Sequence, residues 1–309
     1  MKVMCKYLKP MLLAGYMLGG MVLNAQEVKL VRAQALYNEK KPDMAKVCID
    51  SVVAHPETMK RFEAWTIRGF IYFEIYKRTD KTKFNSSLRD TLVASIKRSN
   101  SLNPDADYKS NNNKLMSNIS SNYYLLAKNY LQDSSNYDKS STSFNKYKEL
   151  IKIADTTVDL RDKDIEYNLA VGSHFSEKFN KDKKNTKAFE IAKVTLLKVL
   201  ELNPIDSSAN MNMGVMYLNQ ATSLIEKIDA GEASIQDVDI IQEDAIKLAK
   251  QAEQFFLKVY NQNNKNRKAV LALYYVYRVL LDEAKILAYE QKCKELKIEV
   301  TEESSNPKK

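Results

Sequence analysis

The chain has 309 residues, of which 48 are basic and 39 acidic, and its formal net charge is +9. Its 7 glycines and 6 prolines are too few for the turns of a many-stranded sheet fold, so helix is favoured. Acidic residues are interleaved with the basic ones and no nucleic-acid-binding motif occurs, so a nucleic-acid partner is not expected.

The first 25 residues have the pattern of a secretory signal peptide. Several lysines precede an apolar run from Met11 to Leu23, and a cleavage site after Ala25 follows the run. The run spans 13 residues, whereas a membrane-spanning helix needs roughly 20, so cleavage is favoured over retention as an anchor. Mature protein is then predicted to begin at Gln26, with no transmembrane segment after cleavage.

The positions of the cysteines argue against a lipid-anchored protein and against a disulfide bond. Cys5 precedes the apolar run, so it does not lie where a lipid-attachment cysteine would. Cys48 and Cys293 lie near opposite ends of the mature sequence, and a bridge requires Cα atoms within about 7 Å. We therefore expect two separate, mostly buried thiols.

A motif of large-x2-apolar-small-x2-aromatic residues recurs six times behind the signal. Its clearest copies are Trp65-x2-Arg68-Gly69-x2-Tyr72 and Asn210-x2-Met213-Gly214-x2-Tyr217. The small position falls at Gln34, Gly69, Ala127, Ala170, Gly214 and Tyr274, and the aromatic position at Tyr37, Tyr72, Tyr130, Ser173, Tyr217 and Tyr277. The motif resembles the first helix of a tetratricopeptide repeat (TPR), W-x2-L-G-x2-Y.

Matching second helices follow three of these copies, with the A-x3-F…P spacing of the same family. They comprise Met44, Cys48, Ser51 and Pro56, then Leu92, Ile96, Ser99 and Pro104, and then Ala192, Leu196, Val199 and Pro204. The resemblance implies an all-α fold, a right-handed superhelical solenoid of antiparallel helix pairs with five to six repeats, over residues 26–298. A looser all-helical repeat array is the alternative.

The spacing between copies is irregular. Successive small positions are separated by 35, 58, 43, 44 and 60 residues, whereas the family unit is about 34 residues. Longer helices or inserted loops are therefore required, and three polar stretches are predicted to hold the insertions, 105–113, 132–143 and 228–239. The polar end of the chain, 299–309, is predicted to be a disordered tail.

No constellation for catalysis or metal binding is visible. His55 and His174 are the only histidines, and they lie in different repeats without a metal-ligand or nucleophile spacing. The mature chain has no glycine-rich phosphate loop. We therefore expect no enzyme activity, no catalytic residue, no metal site and no cofactor.

In TPR proteins, the first helices line a groove that binds an extended peptide or a helix. Carried onto this sequence, the resemblance implies a concave peptide-binding groove. Its residues are Thr66, Phe70, Asn168, His174, Asn212, Val215, Asn219, Tyr275 and Arg278. Helical geometry turns Tyr275 away from the seam that Tyr274 and Tyr277 occupy.

The sequence thus favours an exported, non-catalytic scaffold that binds a protein or peptide partner of the bacterial cell envelope, as part of an envelope complex. We expect it to be periplasmic, outer-membrane-associated or secreted. The alternative is a helical repeat protein that binds an oligosaccharide or another small ligand. The chain has a single tryptophan, Trp65, which weakens this alternative because sugar sites favour exposed aromatic platforms.

Overall fold

The computed structural model describes residues 25–229 and 235–300. Within these ranges the regular structure is α-helical, apart from a 3₁₀ turn at Ser134–Asn136. The helices are α1 Ala25–Asn38, α2 Pro42–Ala54, α3 Phe62–Thr79, α4 Ser87–Ser101, α5 Ala106–Leu131, α6 Tyr137–Ala154, α7 Arg161–Lys181, α8 Thr186–Leu202, α9 Ser207–Asp229, α10 Ile235–Gln262, α11 Arg267–Leu280 and α12 Glu283–Glu295. The predicted all-α fold is confirmed.

The described residues form two compact units, whereas the sequence predicts one repeat domain. The N-terminal unit contains residues 25–122 and 153–155, and the C-terminal unit contains 123–152, 156–229 and 235–300. Helix α5 contributes residues to both units. The superhelical handedness of the array stays a prediction.

In the N-terminal unit, α1 packs against α2 and α3 packs against α4, as expected for helix pairs joined by short connections. On α4, Leu92, Ile96 and Ser99 are fully buried, which confirms the predicted second-helix spacing. The predicted spacing on α2 is wrong by one residue. Its buried positions are Ala45, Ile49 and Val52, whereas the predicted Met44 is exposed and Cys48 and Ser51 are only half-buried.

In the C-terminal unit, α7 packs against α8, α9 against α10 and α11 against α12. On α8, the predicted contact residues Ala192, Leu196 and Val199 are fully buried. Helix α9 also contacts α7 on one side and α11 on the other. The first helices of consecutive pairs are therefore neighbours, as in a repeat array.

The small position of the motif is where paired helices approach closely. A Cβ atom at Gly69 would lie 2.5 Å from Cδ1 of Ile96 on α4, so this position is confirmed. In α7 the predicted position, Ala170, is wrong because its side chain is exposed. Gly172 makes the contact instead, since a Cβ there would lie 2.5 Å from Leu196. The motif of α7 is thus shifted by two residues, and buried Phe175 takes the aromatic position assigned to Ser173.

Longer helices account for much of the irregular spacing. Helices α5, α9 and α10 have 26, 23 and 28 residues. The stretch predicted as an insertion at 105–113 is therefore the first part of α5, where Asp105 accepts a hydrogen bond from the backbone of Tyr108 at 2.9 Å. The stretch at 132–143 holds only the 3₁₀ turn and the start of α6.

The predicted signal peptide lies outside the described residues apart from Ala25, and so does the predicted tail apart from Glu299 and Val300. Among the helices described, none combines the length and apolar character required to cross a membrane. Cys48 and Cys293 are free thiols, with Cys293 fully buried and Cys48 partly so.

Candidate binding surface

Two side-chain pairs connect α7 to α9 in the C-terminal unit. The Nδ2 atom of Asn212 donates to Oγ of Ser173 at 2.9 Å, and Nδ2 of Asn219 donates to Oδ1 of Asn180 at 2.8 Å. All four residues are half-buried. On each helix, the two residues that form these bonds are seven positions apart, about 10.5 Å along the helix axis. Residues at this spacing share a helix face, so the two bonds are parallel cross-links on one side of α7 and α9.

On α9, the side that holds the two asparagines is uncharged, whereas on α7 the exposed Glu177 lies between Ser173 and Asn180 and pairs with Lys181 at 2.6 Å. Val215 lies between the two asparagines of α9 and is partly buried against the core of the C-terminal unit. Helix α9 carries no charged residue from Ser207 to Ile225. Beneath this surface, the Ser176 hydroxyl donates to Sδ of Met216 at 2.9 Å, so the α7–α9 contact continues into the interior.

Helix α11 extends this surface on the other side of α9. Tyr274 and Tyr277 are buried, which confirms that they occupy the helix seam. Tyr275 is half-buried, packs against the same core as Val215, and meets Tyr274 edge-on with ring centroids 5.3 Å apart. The surface formed by Ser173, Asn180, Asn212, Val215, Asn219, Tyr275 and Arg278 is called the inner face below.

Two predicted groove residues of α7 do not belong to the inner face. Asn168 is buried, and its amide donates to the backbone carbonyl of Asp164 at 2.7 Å. His174 is half-buried and stands edge-on to Phe175 at 5.4 Å. Its Nε2 atom is buried and makes no hydrogen bond within the described part of the chain.

Ser173 and Asn180 were missed as groove residues because the motif was placed on Ala170. With the small position at Gly172, the α7 motif becomes Asn168-x2-Val171-Gly172-x2-Phe175, which matches the Asn210 copy on α9. This shared asparagine position is the signal that would have found Ser173, which then corresponds to Val215, whereas Asn180 lies eight residues after Gly172 and corresponds to none of the positions predicted on α9.

In the N-terminal unit, the predicted residue Thr66 is part of the interior. Its hydroxyl lies 2.8 Å from Oγ of Ser99 and 3.0 Å from Oδ1 of Asn112, and all three residues are buried. Thr66 is therefore closed to a ligand. Phe70 is half-buried on the same helix.

Trp65 is the one tryptophan that could serve a sugar-binding site, and its side chain contacts other residues of the N-terminal unit. Its indole nitrogen donates to the carbonyl of Met59 at 2.8 Å. The guanidinium of Arg68 lies 5.8 Å from the ring centroid. The ring is therefore tied to nearby protein groups.

Asp50 is the centre of a charged network between α2 and α3. Arg68 donates to Asp50 at 2.8 Å, the Tyr72 hydroxyl donates to it at 2.9 Å, and Lys46 donates to it at 3.1 Å. Partial burial acts to raise the pKa of Asp50, but hydrogen bonds from Arg68, Tyr72 and Lys46 outweigh it and hold the pKa below its usual value. The network joins α2 to α3.

The histidine, cysteine and carboxylate side chains decide whether a metal ion could be held. Within residues 25–229 and 235–300, no group of three or more His, Cys, Asp or Glu residues is arranged to hold an ion.

No protein-family model matches the chain, and no curated protein matches it. Among solved structures, the chain is similar to the crystal structure of PilW, described as a widely conserved type IV pilus biogenesis factor, at 16% sequence identity. The match covers 88% of this chain and 93% of that chain, with a TM-score of 0.32. A similarity at this level adds no argument about function. The helix pairs described above define the class, an all-α protein of TPR-like helical repeats.

Proposed function

We propose that this chain is a non-catalytic scaffold that binds a segment of a partner protein on the inner face. The observation that carries the proposal is the pair of cross-links from Asn212 to Ser173 and from Asn219 to Asn180. They place half-exposed amide groups in a row along the uncharged stretch Ser207–Ile225 of α9.

A row of amides suits a peptide backbone. Each asparagine of α9 uses one N–H bond within its pair, which leaves its carbonyl oxygen and its second N–H for a ligand. A backbone also presents both donors and acceptors. The distance of about 10.5 Å between the two amides corresponds to about three residues of extended chain.

We further propose that the protein acts outside the cytoplasm. This part rests on the signal-like sequence of residues 1–25 alone. The partner would then belong to the cell envelope or its surroundings, and the chain would be periplasmic, outer-membrane-associated or secreted.

Photo-crosslinking in intact source cells tests the proposal. A photoreactive residue is placed at Asn212 or Asn219, and a control is placed at Lys198, which is exposed on α8. We expect both inner-face positions, and not the control, to capture the same envelope protein. Crosslinks that fall only within the chain would overturn the proposal, because they would show that the inner face is occupied by the protein itself.

The double variant Asn212→Ala/Asn219→Ala provides the matching loss-of-function test. We expect it to lose capture of the partner by a crosslinker at Val215, while circular dichroism shows unchanged helix content. The control variant is Gln34→Ala/Asn38→Ala, which removes an exposed amide pair on α1. Undiminished capture by the inner-face variant would contradict the assigned role.

A further inference from the structure

The segment that contains α11 is rich in cations and lacks carboxylates. From Gln254 to Leu281 the sequence contains no Asp or Glu. The same segment contains five basic residues, Lys258, Lys265, Arg267, Lys268 and Arg278. The segment therefore carries a formal net charge of +5.

Two of these cations flank apolar side chains along the exposed side of α11. Lys268, Leu271, Tyr275 and Arg278 follow one another at spacings of three, four and three residues, which places them on one helix face. Lys268 is exposed and the other three are half-buried. The buried side chains of α11, from Ala269 to Tyr277, lie on the other faces of the helix.

Neighbouring carboxylates do not neutralise these two cations. Within the described ranges, neither Lys268 nor Arg278 forms an ion pair. On the helices beside α11, Glu253 and Asp282 pair with Lys285, at 3.3 Å and 3.5 Å. Lys268 also lies in the first turn of α11, where the helix dipole is positive and a cation is unfavourable. The chain therefore retains uncompensated positive charge on α11, which packs against α9, a helix without charged residues from Ser207 to Ile225.

We propose that the segment bound on the inner face continues along the exposed side of α11, and that this part of it is acidic and extended, with an apolar side chain between two carboxylates. One carboxylate would pair with Lys268 and the other with Arg278, and the apolar side chain would pack between them on Leu271 and Tyr275. The two cations lie ten residues apart, about 15 Å along the helix, so the carboxylates should be about four to five residues apart in an extended chain. This inference rests on the proposed function and specifies the chemistry of its partner.

Fluorescence anisotropy with synthetic peptides tests the inference on the purified chain. The probes are fluorescein-labelled Gly/Ser peptides with two glutamates, one leucine between them, and a glutamate separation that varies from two to eight positions. The control peptides carry glutamines in place of the glutamates. We expect binding to be strongest at a separation of four or five, to weaken as salt increases, and to be absent for the control peptides.

Charge-reversal variants locate the binding on the protein. Lys268→Glu/Arg278→Glu should weaken binding of the best peptide roughly 10-fold or more, because two attractions become repulsions. The control Lys198→Glu/Lys250→Glu makes the same change in net charge at two exposed positions on α8 and α10 and should leave binding unchanged. Equal weakening in both variants, or no dependence on glutamate separation, would overturn the inference.

The two proposals fail in distinguishable ways. If the crosslinker at Asn219 captures a partner through a segment without carboxylates, or if Lys268→Glu/Arg278→Glu leaves that capture unchanged, the proposed function holds and the acidic-segment inference is overturned. If no partner is captured and no peptide binds, both are overturned.

Discussion

Gly214 on α9 lies directly against the ring of Phe256 on α10. A Cβ atom at Gly214 would lie 2.5 Å from Cε1 of Phe256, which is closer than real side-chain contacts allow. Phe256 is itself fully buried, so its ring cannot move without displacing its neighbours. The absence of a side chain at Gly214 therefore sets how closely α9 and α10 pack.

We expect Gly214→Ala to lower the free energy of unfolding by about 1–2 kcal/mol. Overpacking a core lowers the free energy of unfolding by about 1–3 kcal/mol. The better helix propensity of alanine offsets up to about 1 kcal/mol of this loss. Urea denaturation measures the change, with Ser208→Ala on the exposed side of α9 as the control. If Phe256→Leu relieves the defect in the double variant, the cause is the contact between the two residues.

Thr66 is expected to affect stability and not ligand binding. Thr66→Val removes a hydroxyl that is shared with Ser99 and Asn112 in the interior, so it should lower the free energy of unfolding by about 1–3 kcal/mol. The control Thr91→Val replaces a half-buried threonine on α4. A Thr66→Val chain that unfolds at the wild-type urea concentration would show that the buried cluster contributes nothing.

The Asp50 network predicts a stability change at acid pH. Because the pKa of Asp50 is lower in the folded than in the unfolded chain, its contribution is present above the unfolded pKa of about 4 and is lost as pH falls through the folded pKa. We therefore expect wild type to lose more stability between about pH 6 and pH 3 than Asp50→Asn does. Urea titrations at each pH test this, with Glu190→Gln on the exposed side of α8 as the control. Parallel curves for wild type and Asp50→Asn would contradict it.

The two thiols of the helical region should differ in reactivity. Cys293 is fully buried, and burial raises its pKa, so less of the reactive thiolate forms. Cys48 is only half-buried. In a Cys5→Ser background, single-cysteine chains should react with a thiol reagent at Cys48 in the folded state and at Cys293 only after denaturation. Equal rates in the folded state would show that the packing around α12 opens readily.

The sequence was most reliable where apolar residues alone determine the helix face. The second helices at Leu92 to Ser99 and at Ala192 to Val199 bury the predicted positions. The α2 prediction failed because apolar residues occupy several faces of that helix: Met44 and Val47 are exposed, while neighbouring Ala45 is buried. A pattern of apolar spacing does not distinguish such faces, and the contact with the neighbouring helix does.

At the candidate site, too, the sequence predicted some residues and missed others that only the contact between helices identifies. Asn212, Val215 and Asn219 were identified from the motif on α9, and the structure places all three half-buried on one side of the helix. Ser173, the partner of Asn212, was not identified because the small residue of α7 was taken to be Ala170, and Asn180, the partner of Asn219, lies beyond the positions that the motif covers. A shift of two residues rotates a helix position by about 200° and replaces one face by nearly the opposite one.

The sequence by itself determined the all-α class, the pairing of helices and the buried role of residues such as Tyr277, because these depend on composition and on helical periodicity. The tertiary structure decided which small residue touches the paired helix and which polar side chains face a neighbour. On α7, the aromatic Phe175 favours Gly172 over Ala170 as the small position, and the approach of Leu196 to Gly172 shows that this residue makes the contact. Which side chains lie opposite it depends on the distance between two helices, which no single stretch of sequence contains.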